Sequence, residues 1–497
     1  MDMIRSFPGM SIMLCLFAGI ISSGMKRKAA CYLNSALILA VTAMNAAVLY
    51  YTVVTKEAFV FVMGKFPAPW GNELRAGMLE AAVAVLFCVI MLLSVWGGRK
   101  KLDEEVETGK HNLYYVLLNL LLSSLLALVY TNDLFTAYVF VEINTISACG
   151  LIMIRQIGRT LEAAVRYMIM SLLGSGMLLF GICMLYDLTG HLLMSNIHEG
   201  VLRAATVPEY RIPLVVCIAL MVIGLSVKSA LFPFHAWLPD AYGYSTVSSA
   251  AILSSLVSKG YIFLLIKIIY RVIGFEFFCN THIINVLFIF GIAGIIFGSL
   301  SAIKENDIRR MIAFSSVAQI GYIYMGIGLG SELGMAASVF HIFAHALGKA
   351  LLFISAIGLT DVSGCSRKFI EITGSGYRNK VAGLGFTVGS LSMVGIPIFA
   401  GFVSKLMFAR AAVGGREKML ATLIALAIST ILNSIYFMKT VIRIYTPNPD
   451  TPYGSVTIGR EKQYAFAIVL FMVLNIFFGM MSQPIVDLIH AGIAVLG

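Results

Sequence analysis

Uninterrupted apolar runs of about 20 residues recur from Met10 to the end of the chain, and each is long enough to cross the hydrocarbon of a bilayer as a helix. No water-soluble fold has interior enough for so many. The composition agrees, with 59% hydrophobic and only 12% charged residues among 497. At roughly 17–25 residues per helix, the runs predict about fourteen transmembrane helices. They fall near 4–24, 29–52, 77–98, 112–130, 133–154, 161–186, 212–240, 244–271, 283–303, 308–330, 334–359, 380–411, 417–445 and 462–490. The expected fold is an all-α polytopic membrane protein, one transmembrane domain over 1–497. The longest connections, 53–76, 187–211 and 360–379, are too short for a folded soluble domain, so nothing houses nucleotide, flavin or haem chemistry in water.

A net charge of +11 would suggest nucleic acid in a soluble protein, but here the basic residues gather at helix ends, where they orient the chain in the bilayer. Lys26, Arg27 and Lys28 follow the first span, Arg99, Lys100 and Lys101 the third, Arg155 and Arg159 the fifth, and Arg309 and Arg310 the ninth. Arg367, Lys368, Arg378 and Lys380 follow the eleventh, while Arg203, Arg211 and Arg271 fall on the opposite side. Ends of odd-numbered spans therefore face the cytoplasm of a cell membrane, and fourteen spans place both termini outside. The bilayer is the expected partner and nucleic acid is not. The eight cysteines are scattered and no CxxC occurs, so no disulfide framework, metal or cofactor site is expected. Asp2 and the lack of an A-x-A site make the first span a retained helix rather than a signal peptide.

Two spans carry helix breakers. The seventh contains Pro233 and Pro239, and the twelfth contains Gly395 and Pro397 in "LSMVGIPIFAGFVSK". Proline removes a backbone donor, and freed backbone groups at membrane depth are tolerated only against protein or a wet cavity. Interrupted helices in corresponding positions of two halves point to an inverted-repeat transporter. The expected division is N-terminal helices over 1–111, a first five-helix repeat over 112–271, an inverted second repeat over 283–445 and a last helix over 462–490.

Ionisable residues deep inside these spans are the strongest functional signal. They are Glu142, Lys228, His235, Lys259, His341, His345, Lys349 and Lys405. A charge near the bilayer centre costs roughly 2.5–3.5 kcal/mol even on the lenient scale, so this many cannot face lipid. His341, His345 and Lys349 are spaced i, i+4, i+8 on one helical face, and Lys228 and His235 are spaced i, i+7. Desolvation disfavours a lysine's charged form and a nearby carboxylate restores it, which makes a lysine with a movable acid a switchable proton holder. Histidine titrates near neutral pH unaided. Each residue also has a structural reading: Glu142 as a packing partner, His235 as a bridge to freed carbonyls, Lys349 and Lys405 as snorkelling side chains. Ser254, Ser255 and Ser258 beside Lys259 suggest a polar lining. Lys267, Lys439 and Arg443 sit nearer predicted ends. No GxxxxGK[ST], HExxH or GxSxG motif is present.

Taken together, Glu142, "LSVKSALFPFHAWLPDA", Lys259, "HIFAHALGKALLF" and "GIPIFAGFVSK" resemble the antiporter-like subunits of NADH:quinone oxidoreductase, multisubunit Mrp-type sodium/proton antiporters and energy-converting membrane hydrogenases. The likeness spans roughly residues 60 to 445. "MGKFPAPWG", Met63 to Gly71, and Lys405 in place of a glutamate resemble the D-type Mrp subunit, whereas Gly77 stands where that family would have an acid and "YGYSTVSSAA" lacks its prolines. The resemblance implies fourteen helices with a polar axis across the mid-plane. Glu142 would pair with Lys228, Lys259 would act as the middle relay with His341, His345 and Lys349, and Lys405 would be the terminal site.

On this reading the chain moves protons, or exchanges sodium for protons, as one subunit of a multisubunit complex. The partners would be small hydrophobic subunits if the complex is an Mrp-type antiporter, or iron–sulfur and hydrogenase subunits if it is redox-driven. A stand-alone transporter of a small organic solute would instead call for a mid-plane pocket of aromatic and hydrogen-bonding groups. Redox chemistry of the chain's own is not expected.

Overall fold

The computed structural model describes residues 2–66, 71–447 and 462–496. Apolar helices dominate them: α1 Asp2–Ser23, α2 Arg27–Thr55, α3 Met78–Glu105, α4 His111–Tyr130, α5 Leu134–Met153, α6 Gly158–Thr189, α7 Pro208–Lys228 and α8 Val247–Ile273. The second half continues with α9 Ile283–Lys304, α10 Ile308–Gly328, α11 Glu332–Asp361, α12 Lys380–Val394, α13 Ala400–Gly414, α14 Met419–Ile444, α15 Lys462–Met480 and α16 Ser482–Leu496. Among the described residues thirteen are long and apolar enough to cross a membrane alone. The expected twelfth span is interrupted at Gly395 and forms two shorter helices, α12 and α13, separated only by 395–399.

Side-chain caps set several helix starts. Asp133 accepts a hydrogen bond from the Thr136 amide at 2.7 Å to open α5, Asp307 accepts from the Arg309 amide at 2.8 Å to open α10, and Ser331 accepts from the Gly334 amide at 3.1 Å to open α11. Two helix pairs cross backbone to backbone at glycines. A Cβ on Gly224 of α7 would lie 2.6 Å from the carbonyl oxygen of Gly174 on α6, and one on Gly321 of α10 would lie 2.6 Å from that of Gly291 on α9. Small residues at such crossings let helices approach where hydrocarbon offers no hydrophobic drive.

Buried helices α8, α10 and α11, with most of α3, form the centre. The surrounding α1, α2, α6, α9, α14 and α15 turn large apolar side chains such as Ile20, Leu172, Phe180, Ile289 and Ile431 outward. That inverts the pattern of a soluble protein and matches a lipid surround. The centre therefore holds the polar side chains.

Several boundaries differ from the sequence-based expectation. The seventh span ends at Lys228, five residues before Pro233, and 229–237 is a chain of turns. Pro239 lies in the first turn of the short helix Leu238–Tyr244, where its missing amide costs nothing, so it begins a helix rather than breaking one. The last span stops at Met480, and α16 turns away to pack its Gly492 against Leu79 at the start of α3. The connection 187–211 contains the amphipathic helix Met194–Ala205, and 53–76 contains a small antiparallel hairpin, Phe59–Val62 against Glu73–Ala76. The stretch Met63 to Gly71 falls partly outside the described residues.

Candidate functional site

Glu142 projects from α5 and Lys228 is the last residue of α7, and their charged atoms, Oε1 and Nζ, are 3.6 Å apart. The expected partners do meet. The tight α6–α7 crossing brings Lys228 there, since a Cβ on Gly174 would already lie 3.1 Å from Lys228 Cγ. Ser175, next to that glycine, donates a hydrogen bond to Glu142 Oε1. Lys228 Nζ donates to Thr145 Oγ1 at 2.7 Å and stands 5.4 Å from the centre of the Tyr261 ring. Lys228 is fully buried, whereas the Glu142 side chain, midway along α5, is 24% exposed.

Lys228 is at a helix terminus because the chain leaves the helix there. Trp237 Nε1 returns to donate to the Val227 carbonyl at 3.3 Å, and Ser229 Oγ hydrogen-bonds Tyr324 of α10 at 2.7 Å. The Trp237 bond satisfies a backbone carbonyl freed by the break. The break also removes the shared face expected for Lys228 and His235. His235 stacks on Phe232 with ring centroids 5.3 Å apart, and Phe232 stacks on Phe297 of α9. His235 lies in the turn segment, and no ion pair or hydrogen bond joins it to the lysines among the described residues.

Lys259 follows a π-helical turn, Leu253–Val257, in the middle of α8, and its Nζ donates to the Ser254 carbonyl. A π-turn inserted in an α-helix frequently marks a functional position. Lys259 lies within electrostatic range of His345 and Lys349 on α11. The α11 stripe is one face, as its spacing predicts: His341 and His345 stack at 5.8 Å, and Lys349 donates to the Ile312 carbonyl at 2.7 Å and to Ser315 of α10. His341 Nδ1 meets Ser404 Oγ of α13 at 2.9 Å, one residue before Lys405. Lys405 Nζ donates to the Val394 carbonyl at 2.6 Å and to Thr430 Oγ1 at 3.0 Å, and lies 5.6 Å from the Tyr322 ring centre.

The groups form one row: Lys259 and Lys349 lie within electrostatic range of His345, and Lys259 and Lys405 within range of His341. Tyr261, two residues after Lys259 on α8, turns its ring to Lys228, and its hydroxyl donates to Asn144 at 3.0 Å and approaches Thr145 within 3.4 Å. Among the described residues, Glu142 is the one carboxylate paired with a lysine of this row. Lys259, Lys349 and Lys405 rest on carbonyls and hydroxyls instead. Thr145, Ser175, Tyr261 and Tyr322 are the partners that sequence reasoning missed. Their only local signal is spacing: Thr145 stands three residues after Glu142 and Tyr261 two after Lys259.

A second buried set lies where α3 begins and α8 ends. Arg75 and Glu80 form an ion pair, and Lys267 Nζ donates to the Val129 and Thr131 carbonyls at 2.7 and 2.6 Å. Glu80 accounts for Gly77. A Cβ there would lie 2.7 Å from Glu80 Oε2, so the position without an acid makes room for one three residues on.

Residues 131–432 match the family model described as NADH:quinone oxidoreductase/Mrp antiporter, TM. The chain belongs to this family. Every residue of the row, from Glu142 to Lys405, lies inside the matched stretch. The chain is 32% identical to NADH-quinone oxidoreductase subunit N of Desulforudis audaxviator, over 84% of this chain and 81% of the relative. It is 30% identical to a putative antiporter subunit, mnhA2, of Staphylococcus haemolyticus, over 72% of this chain but 45% of that longer relative. Its fold matches a chain of an archaeal membrane-bound sulfane sulfur reductase at a TM-score of 0.85 and 24% identity, covering 100% of this chain and 97% of that one. It matches a chain of the Mrp complex from a Dietzia species at 0.85 and 22%, covering 100% and 98%. The resemblance carried by the buried charges therefore holds at the level of family and fold.

Proposed function

We propose that this chain carries protons along the row Glu142, Lys228, Lys259, His345, His341 and Lys405, with Lys349 as a side station. Membership of the family makes it a proton-translocating membrane subunit of the Mrp-antiporter or complex-I-like kind. The observation that carries the residue-level reading is the 3.6 Å contact of Glu142 with Lys228, the one acid of the row on its one paired lysine. A carboxylate beside a buried ammonium holds the proton there; when the carboxylate draws off, the neutral amine becomes the cheaper form and the proton moves on. Lys228 then passes its proton by way of the Tyr261 region to Lys259 and the histidines, and Lys405 exchanges with the far side. Groups so coupled titrate as a set.

The partial exposure of Glu142 supports a neighbouring subunit there, because a carboxylate facing lipid is costly. Within the family, an Mrp-type antiporter subunit of the D kind is the first reading, favoured by Lys405 at the terminal site. Subunit N of a redox-driven complex is the second, favoured by the 32% identity to such a subunit. Mass-spectrometric identification of what co-purifies in mild detergent separates them: small hydrophobic subunits alone for the first, soluble iron–sulfur or hydrogenase subunits for the second. The division into two inverted repeats and the placement of both termini outside a cell membrane belong to the same proposal.

The residue-level test is Lys228→Ala in the assembled complex. Proton flux into vesicles is expected to fall at least about a hundredfold, the lower end for losing a positioned acid–base group. An assembled Lys228→Ala complex that pumps at the original rate would sink the reading.

A further inference from the structure

Away from the row, basic side chains converge on the face where α6 and α10 begin and α9, α11 and α14 end. Three guanidinium groups surround the ring of Tyr244, Arg159 at 5.4 Å, Arg310 at 5.6 Å and Arg367 at 5.5 Å from its centre. Two are compensated: Arg310 pairs with Asp240 and, at 3.0 Å, with Glu305, and Arg367 pairs with Asp307 at 3.3 Å. Arg159 has no carboxylate partner among the described residues. Nor have Lys304, Lys368 and Arg443, which line the same cavity of about 930 Å³. Its wall carries six cationic side chains against the carboxylates of Glu305 and Asp307.

The cavity is held open by backbone. The Phe369 amide donates to the Asn306 carbonyl at 3.1 Å and the Ile308 amide to the Arg367 carbonyl at 3.0 Å, which fixes Lys368 at the mouth. Its rim is apolar: Arg443 lies 5.8 Å from the Phe369 ring centre, and Ile370 beside it is 74% exposed. Like charges gather at a cost unless an anion joins them, and planar guanidinium groups match the oxygens of a phosphate. Basic pockets between membrane helices are suited to anionic lipid headgroups, and the apolar rim fits an acyl chain that a free anion lacks.

We propose that this cavity binds the phosphate headgroup of an anionic phospholipid from the leaflet on that face. The inference does not depend on the transport mechanism. To test it, the complex containing the full chain is stripped of lipid by detergent exchange and offered phosphatidylglycerol, phosphatidylcholine or inorganic phosphate, with occupancy read by native mass spectrometry. Phosphatidylglycerol is expected to be retained about tenfold better than phosphatidylcholine, and Arg159→Gln/Lys368→Gln to lose about that factor. Lys26→Gln/Lys28→Gln, an equal loss of charge at exposed positions elsewhere, is expected to change nothing. Lys304→Gln/Arg443→Gln repeats the test on the other wall should the first variant fail to assemble. Equal retention in the cavity and control variants overturns the proposal. Displacement of the lipid by inorganic phosphate at the same concentration reassigns the site to a free anion and overturns it too, as does a cross-link from Lys368 to a partner subunit in the intact complex.

Discussion

Lys405 and Gly395 form one unit at the residue scale. Gly395 ends α12 with φ +89°, a conformation that other residues rarely adopt, and a Cβ there would stand 2.8 Å from Lys405 Cδ. The aliphatic stem of the lysine lies across the glycine so that Nζ can reach the Val394 carbonyl. Gly395→Ala therefore meets both a strained backbone and a blocked path for the lysine. The strain alone is about 1–3 kcal/mol. The unfolding free energy of the purified complex is expected to fall by that amount, read as a lower thermal midpoint, and proton flux to fall as Lys405 is displaced. Gly414→Ala is the matched control, because its Cβ would meet only Leu333 Cδ1 at 4.0 Å, an ordinary contact. Equal effects from the two variants would remove Gly395 from the positioning of Lys405.

At the scale of elements, the Glu142–Lys228 contact depends on how closely α6 and α7 approach, and that approach rests on Gly174 and Gly224. Gly224→Val would place a Cβ 2.6 Å from the Gly174 carbonyl oxygen and 2.8 Å from the Leu178 amide, both backbone and neither able to yield cheaply. Overpacking of this kind costs about 1–3 kcal/mol. A fall in thermal stability together with loss of proton flux is expected, whereas Gly176→Ala on α6, with nothing within 4 Å, is expected to leave both unchanged. Stability and flux that survive Gly224→Val would mean the crossing does not set the site. The spans themselves were legible in the sequence because length and apolarity are local properties. So was the stripe His341, His345, Lys349, which one regular helix carries. The end of α7 was not, since Lys228 terminates its helix through contacts from Trp237 and Tyr324 that no local pattern announces. The face shared by Lys228 and His235 was not legible for the same reason, since a helical spacing does not hold across a segment of turns. Thr145 and Tyr261 were invisible because a hydroxyl in an apolar run looks like any tolerated polar residue until a lysine from another helix arrives.

At the scale of the whole molecule, the basic helix ends are joined rather than scattered. Arg27 pairs with Asp103, Lys101 with Asp361 at 2.6 Å, Arg155 and Arg309 both approach Glu105 at 3.6 and 3.8 Å, and Arg310 pairs with Asp240. One ionic layer thus ties the starts of α2 and α10 and the ends of α3, α5 and α11 to a single face. Arg75, Glu80, Lys267, Arg271 and α16 lie at the other ends of their helices: Arg271 of α8 donates to the Leu496 carbonyl at 3.4 Å, and Arg75 donates to that of Val495. The orientation proposed above from the positive-inside bias would turn the first face to the cytoplasm. The native Cys365, exposed on that face, and an introduced Gln483→Cys at the exposed start of α16 make a direct comparison. A membrane-impermeant maleimide is expected to label Cys365 in inside-out vesicles and not in right-side-out ones, with the reverse pattern for Gln483→Cys. Labelling of both positions from one side would break the link between the ionic layer and a single membrane face. Labelling of each from the side opposite to that expected would keep the layer intact and turn the whole molecule over.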